Sequence, residues 1–320
     1  KLTQVWTLAL DPDLGPRTLG TYLTLNKTRL LQILVVIMGT VLTTSCHSNQ
    51  ESNATVNSNK LVVFTTASDV GLGTSRIPLN IRKTDGTLLM DIASEIEVSY
   101  SPEESNEDRI VKDLKWREWP IHGGIYTTTM EFNKVGFWNI KVKVNSSEIQ
   151  MSAETGILVK STAEAPDIGE LAPVTKTKTS PEGTNLRLIT TAPEPDPDLY
   201  SISFDEAIKT GRPTVISFST PAYCRSGACG PQTQVLSELE DQYKGQVNFI
   251  HVEIFDNPAE MLNSGDASIG IESPVIDTWN FHTEPWTFTI NSSGIVVGRF
   301  EGFVTAAEIE EYLLPTLDAA

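Results

Sequence analysis

The sequence predicts two folded domains in series, an all-β sandwich followed by an α/β domain, and three observations carry that prediction. Apolar and polar residues alternate in short runs from Leu61 to about Lys160, without a helical period. Six of the chain's 18 prolines then fall between Ala165 and Tyr200. From Ser201 onward the pattern changes to buried strands around an amphipathic helix. A length of 320 residues suits two domains with targeting and linking segments added.

Residues 1–45 read as a signal region. Leu30 to Leu42 (LLQILVVIMGTVL) is an apolar run of 13 residues, short of the roughly 20 that a spanning helix needs but within the range of a signal-peptide core. Lys27 and Arg29 supply its positive flank. The first methionine, Met38, lies inside this run. Translation is therefore expected to start at Leu25, or Leu23, which leaves residues 1–24 untranslated. Leu42-Thr43-Thr44-Ser45-Cys46 follows, a small-residue cleavage site ending in cysteine. It resembles a bacterial lipobox, with Thr43 where an aliphatic residue is usual. The resemblance implies a lipoprotein lipidated at Cys46 and held outside the bacterial cytoplasmic membrane; plain secretion with an incidental cysteine is the alternative. Residues 46–60 form a polar tether.

Residues 61–160 carry the sandwich. Leu61 to Phe64, Arg76 to Ile81, Glu95 to Tyr100 and Trp138 to Val144 read as strands, and Asp85-Gly86 offers a tight turn. Gly124-Ile125-Tyr126 leads into Met130-Glu131-Phe132, with Gly136 before the next strand. Six or seven short strands over about 100 residues indicate a sandwich. The cadence G-x-Y…F…G-x-W-x-I-x-V resembles Ig-like accessory domains of the bacterial envelope. Gly71-Leu72-Gly73 reads as a turn, and Trp116, Trp119 and His122 around Pro120 as sandwich-edge packing.

Residues 161–200 form a Pro-rich linker or wrapping arm, since proline at this density excludes helix interiors and central strands. In residues 201–320, Phe204 to Lys209 reads as a short helix and Thr214 to Phe218 as a buried strand. Gln232 to Lys244 is a helix with Val235, Leu239 and Tyr243 on one stripe. Val247 to Phe255, Trp286 to Ile290 and Gly294 to Phe300 are further strands, His251 being a packed or surface imidazole. Thr305-Ala306-Ala307-Glu308 is a capping box opening a helix from Ala306 to Leu314.

Composition narrows the chemistry. With 24 Lys+Arg against 41 Asp+Glu the net charge is −17, and no basic cluster is present to neutralise phosphates, so nucleic acid is not an expected partner. Three cysteines and four histidines exclude a zinc-finger array. No HExxH, GxSxG or Walker motif supports hydrolysis or nucleotide turnover.

Cys224 and Cys229 are left, placed between a buried strand and the amphipathic helix. The helix cadence L-x-E-x-x-x-x-Y-x-G from Leu236 to Gly245, Asn257-Pro258 after the second strand, and Glu284-Pro285-Trp286-Thr287-Phe288 before Gly294 and Gly302 occur in a fixed order. In that order they resemble the thioredoxin superfamily over about residues 204–317. The resemblance implies an α/β thioredoxin-like fold, a cis bond before Pro285 and a thiol–disulfide oxidoreductase that needs no cofactor. Cys224 would attack, Cys229 would resolve, and Tyr223, Glu284 and Pro285 would shape the substrate groove. Protein thiols and disulfides of the cell envelope would be its partners.

The sequence departs from the family in three ways. The cysteines are spaced C-x-x-x-x-C rather than C-x-x-C, Tyr223 replaces a tryptophan, and Glu284 puts a carboxylate where a small or apolar residue is usual. Five residues apart on a continuous helix the cysteines would be rotated by about 140°. Their loop must fold back to bring them within disulfide reach, about 5.5 Å between Cα atoms. The segment Ile269 to Thr278 lengthens the approach to Pro285 and reshapes the groove. Two alternatives stay open: a non-catalytic binding module with a structural Cys224–Cys229 disulfide, and a copper-chaperone-like carrier using Cys224, Cys229 and His282.

Overall fold

The computed structural model describes residues 60–318, apart from 106, 122, 147–149 and 182. The expected signal region, Cys46 and the tether up to residue 59 lie outside the described residues, as does His122. Among the described residues no helix is long and apolar enough to cross a membrane.

The sandwich comprises β1 (Leu61–Thr65), β2 (Gly73–Lys83), β3 (Ile96–Pro102), β4 (Arg109–Ile110), β5 (Lys115–Trp119), β6 (Gly123–Phe132), β7 (Gly136–Asn145) and β8 (Gln150–Val159). They pair in two sheets ordered β1-β2-β6-β5 and β4-β3-β7-β8, antiparallel throughout. The period of two places Trp138, Ile140, Val142 and Val144 of β7 in the core with Ile77, Leu79 and Ile81 of β2. Trp138 meets Phe132 edge-on at 5.1 Å between ring centres, and its indole N–H donates to the Lys134 carbonyl.

The C-terminal domain is built on a four-stranded sheet ordered β10-β9-β11-β12, from β9 (Thr214–Ser219), β10 (Asn248–Glu253), β11 (Trp286–Ile290) and β12 (Val296–Glu301). β9 and β10 are parallel, and β11 is antiparallel to β9 and β12. Its helices are α1 (Phe204–Ala207), α2 (Cys229–Tyr243), α3 (Pro258–Ser264), α4 (Pro274–Trp279) and α5 (Ala306–Leu317). Alternation sorts the sheet's side chains between two faces. Ile216, Phe218 and Phe288 pack with Trp279 and Phe204, while Val215 and Phe249 pack with Leu236 and Leu239 of α2 and Ile309 and Leu313 of α5. α5 runs to Leu317 through Pro315, beyond the expected end at Leu314. A proline so close to the terminus removes one late hydrogen bond, and burial of Leu313 and Thr316 holds the turn.

The Pro-rich segment 161–200 is packed along the C-terminal domain as an arm. Gly169 and Ala172 donate to the Val296 and Gly294 carbonyls, and Val296 donates to Glu170, which covers the outer edge of β12. Leu199 and Tyr200 enter the core beside α2, and Thr190 and Thr191 are fully buried.

Charged pairs join the two domains. Asp69 binds Arg299 of β12 and Lys160, and Arg76 of β2 makes a two-pronged contact with Glu308 of α5 at 2.8 and 2.9 Å. Arg76 and Glu308 expose only 6% and 4% of their side chains, so this contact is closed to water. Trp119, expected at the sandwich edge, meets Phe303 of the C-terminal domain at 5.3 Å.

Candidate functional site

The site begins where β9 stops at Ser219. A turn from Thr220 to Tyr223 and a second from Cys224 to Gly227 fold the loop back on itself. Gly227 adopts φ +71°, a left-handed conformation that glycine takes without steric cost. The loop then enters α2 at Cys229, three residues earlier than the expected start at Gln232. Folding back brings the Cα atoms of Cys224 and Cys229 to 5.8 Å, and the two sulfurs form a disulfide. Cys229 is fully buried, whereas Cys224 is half-buried.

The Cys224 sulfur sits at the mouth of α2. The Cys229 amide N–H, the first of the helix, donates to Cys224 Sγ at 3.3 Å, and Ser226 Oγ lies 3.3 Å from the same sulfur. Unpaired N–H groups at a helix start carry partial positive charge, so a thiolate on Cys224 would be stabilised there.

Glu284 closes the other side. Its peptide bond to Pro285 is cis, and its carboxylate lies within 4.8 Å of both sulfurs. Burial raises the Glu284 pKa to about 7, helped by the Glu253 carboxylate and opposed by the Arg225 backbone and guanidinium. One Glu284 oxygen, Oε2, is buried without a hydrogen-bond partner. Tyr223 is tied down by its hydroxyl, which donates to the Met261 carbonyl at 2.6 Å.

Beneath the loop lies a polar layer that the sequence did not reveal. Glu253, at the end of β10, accepts from the Thr191 amide at 2.8 Å and the Thr191 hydroxyl at 2.7 Å. Thr191 Oγ1 also contacts Thr220 and receives the Ala222 amide, so the arm pins the cysteine loop from below. Burial pushes the Glu253 carboxyl above its usual range against the hydrogen bonds from Thr191. The available signal was an acid set among the apolar residues Val252, Ile254 and Phe255. Thr191 sits in a Thr-Thr-Ala stretch with no motif to mark it.

His251 is fully enclosed, its Nε2 on Ser219 Oγ and its Nδ1 on the Tyr200 hydroxyl. Burial lowers its pKa to about 3, against about 6.5 in an unfolded chain. Unfolding therefore takes up a proton below pH ~6.5, and the contribution is present above that pH and lost as pH falls toward 3. Relative to a His251→Gln variant, the wild type should lose about 2 kcal/mol of stability between pH 7.5 and pH 5, at ~1.36 kcal/mol per unit. Urea melts of both proteins at the two pH values measure this, and parallel losses would contradict it.

Among the described residues, the group that could ligate a metal is Cys224, Cys229 and Glu284. The disulfide ties up both sulfurs. His282, the third ligand in the copper-carrier alternative, is exposed, with its Nε2 3.5 Å from the Glu164 carboxylate of the arm. Tyr223, His282 and Glu284 do line one cleft beside the cysteine loop, and Glu272 and Ile276 of the lengthened approach line it as well.

Comparison with known proteins finds a family model and solved structures similar to parts of this chain. Residues 200–315 match the family model of a thioredoxin-like domain. A Chlorobium tepidum thiol:disulfide interchange protein DsbE aligns at 16% identity and TM-score 0.34, covering 48% of this chain and 99% of its own. A thioredoxin-family thiol:disulfide interchange protein from Chlorobium tepidum TLS aligns at 15% identity and TM-score 0.33, with the same coverage. No curated protein matches the sequence.

Proposed function

Starting from a thioredoxin-superfamily domain at residues 200–315, we propose that the chain is a thiol–disulfide oxidoreductase in which Cys224 attacks and Cys229 resolves. The observation that carries this reading is the Cys229 N–H donated to Cys224 Sγ at the mouth of α2. It favours a thiolate on the more accessible sulfur. In the reduced protein that thiolate attacks one sulfur of a partner disulfide and expels the other as a thiolate, giving a mixed disulfide. Cys229 then loses its proton and attacks Cys224 Sγ, releasing the partner's second thiolate. Two electrons pass to the partner, and the Cys224–Cys229 disulfide of the structure re-forms. The reverse sequence oxidises a partner dithiol.

Glu284 is the group placed to take the Cys229 proton, since its carboxylate lies within 4.8 Å of both sulfurs. A pKa near 7 leaves it half-ionised at neutral pH, a good state for a proton acceptor. Glu284→Gln should slow resolution of a mixed disulfide roughly a hundredfold and remove an inflection near pH 7 from its rate profile. Stopped-flow release of a chromophoric thiol at several pH values checks this; an unchanged profile would remove Glu284 from the proton step.

The exchange reading is tested by trapping. Cys229→Ser should accumulate a mixed disulfide through Cys224 when mixed with oxidised insulin, and Cys224→Ser should not. Failure of both variants to trap would leave the disulfide as a staple of a binding module. We place the protein outside the cytoplasmic membrane, anchored through lipid on Cys46, with envelope thiol proteins as its partners. This location is supported by the apolar run Leu30 to Leu42 and the small residues before Cys46. Mass spectrometry of the mature N-terminus tests it: a lipidated Cys46 supports the placement, and an N-terminus retaining residues 30–42 overturns it.

A further inference from the structure

The cysteine loop faces the sandwich as well as the sheet that carries it. A cleft of about 550 Å³ lies between them, with Arg225, Ser226 and Glu284 on one wall and Phe64, Trp119 and Ile121 on the other. Ile121 Cδ1 reaches within 3.9 Å of the point a Cβ on Gly227 would occupy, so the sandwich approaches the loop between the two cysteines. The buried ion pairs Asp69–Arg299 and Arg76–Glu308 hold this geometry ready-made.

The lining is mixed in a specific way. Phe64 is 42% exposed at the end of an edge strand, a large aromatic face open to the cleft. Trp119 Nε1, a donor, and Glu284 Oε2, an acceptor while ionised, are both buried without partners. An unpaired buried polar atom is costly, and a ligand able to satisfy one donor and one acceptor across an apolar floor relieves that cost. A peptide group brings one carbonyl and one N–H, and side chains on either side of it bring apolar area.

We propose that this cleft receives an extended segment of a partner polypeptide, with Phe64, Trp119 and Ile121 of the sandwich selecting an apolar side chain beside the partner's cysteine. The proposal deepens the exchange reading above and gives the sandwich its role: it builds half of the substrate site. A small thiol or disulfide would span only the loop side and gain nothing from the sandwich.

The test separates binding from sulfur chemistry. Reduced and carboxymethylated α-lactalbumin is an unfolded polypeptide that has no thiol to exchange. It should bind the oxidised wild-type protein in a calorimetric titration. The Phe64→Ser/Ile121→Ser double variant should bind about tenfold or more weakly, as expected for the loss of an apolar anchor. Val174→Ser, an exposed apolar residue on the arm, should bind as wild type does. Matching thermal melts confirm that the double variant is folded, and Phe64→Ser alone serves if it is not. No binding by the wild type, or equal binding by the variants, overturns the cleft. The exchange reading is tested separately by mixing reduced wild type with dithiobis(nitrobenzoate). Polypeptide binding without chromophore release would leave the cleft standing and remove the exchange.

Discussion

Arg299→Met is expected to lower the stability of the folded chain by about 3 kcal/mol. Arg299 exposes 9% of its side chain and Asp69 10%, so the substitution strands a carboxylate away from water. The same guanidinium donates to the Pro166 and Asp69 carbonyls and lies 4.7 Å over the Trp286 ring. Burial raises the Asp69 pKa, but the Glu164 and Ala165 amides and Arg299 outweigh it and hold the group below the usual carboxylate range. Those two amides and Lys160 remain in the variant, which sets the expected cost at the lower end for a broken buried pair. Because the contact joins sandwich, arm and sheet, the variant should melt in two steps where the wild type melts in one. Urea unfolding followed by far-ultraviolet circular dichroism measures both effects. A loss below about 1 kcal/mol with a single transition would show that the junction is held by other contacts.

The second large effect concerns the two cysteines themselves. In the reduced protein, Cys224 should be alkylated by iodoacetamide about a hundredfold faster than Cys229, and Cys224→Ser should abolish turnover of a disulfide substrate. The reasons are geometric. Cys229 is fully buried at the start of α2, while Cys224 is half-buried and already accepts the helix's first N–H. Mass spectrometry of the labelled peptides gives the ratio. Equal labelling, or labelling of Cys229 first, would invert the assigned roles.

Much of this arrangement was legible in the sequence, and the gaps have physical causes. The C-terminal strands and α2 announced themselves because a buried parallel strand and a one-sided helix leave strong periodic signals. β5 and β8 left weak ones. Both are edge strands of the sandwich; Lys115, Arg117 and Glu118 charge β5, and β8 sets the weakly apolar Ala153 and the polar Thr155 in the middle of its inward face. The cysteine pair was visible by spacing, and Glu284 by its place before Pro285. Thr191, Glu253 and Tyr200 were not, because their roles arise from an arm that returns over the domain from distant sequence. The junction was invisible for the same reason: Arg76 and Glu308 are 232 residues apart, and nothing local marks either as buried. His282 lines the same cleft as Glu284 and stands 3.5 Å from Glu164 of the arm, a neighbour that nothing local in the sequence marks.

The account turns on whether the Cys224–Cys229 disulfide is a working redox pair. Its reduction potential, measured by equilibration with glutathione or dithiothreitol buffers and mass spectrometric counting of free thiols, decides this. The stabilised Cys224 sulfur predicts a potential above about −300 mV, in the range of exchange-active pairs. A value below that, with a disulfide that stays closed in dithiothreitol, would make the bond a permanent staple and the domain a binding module.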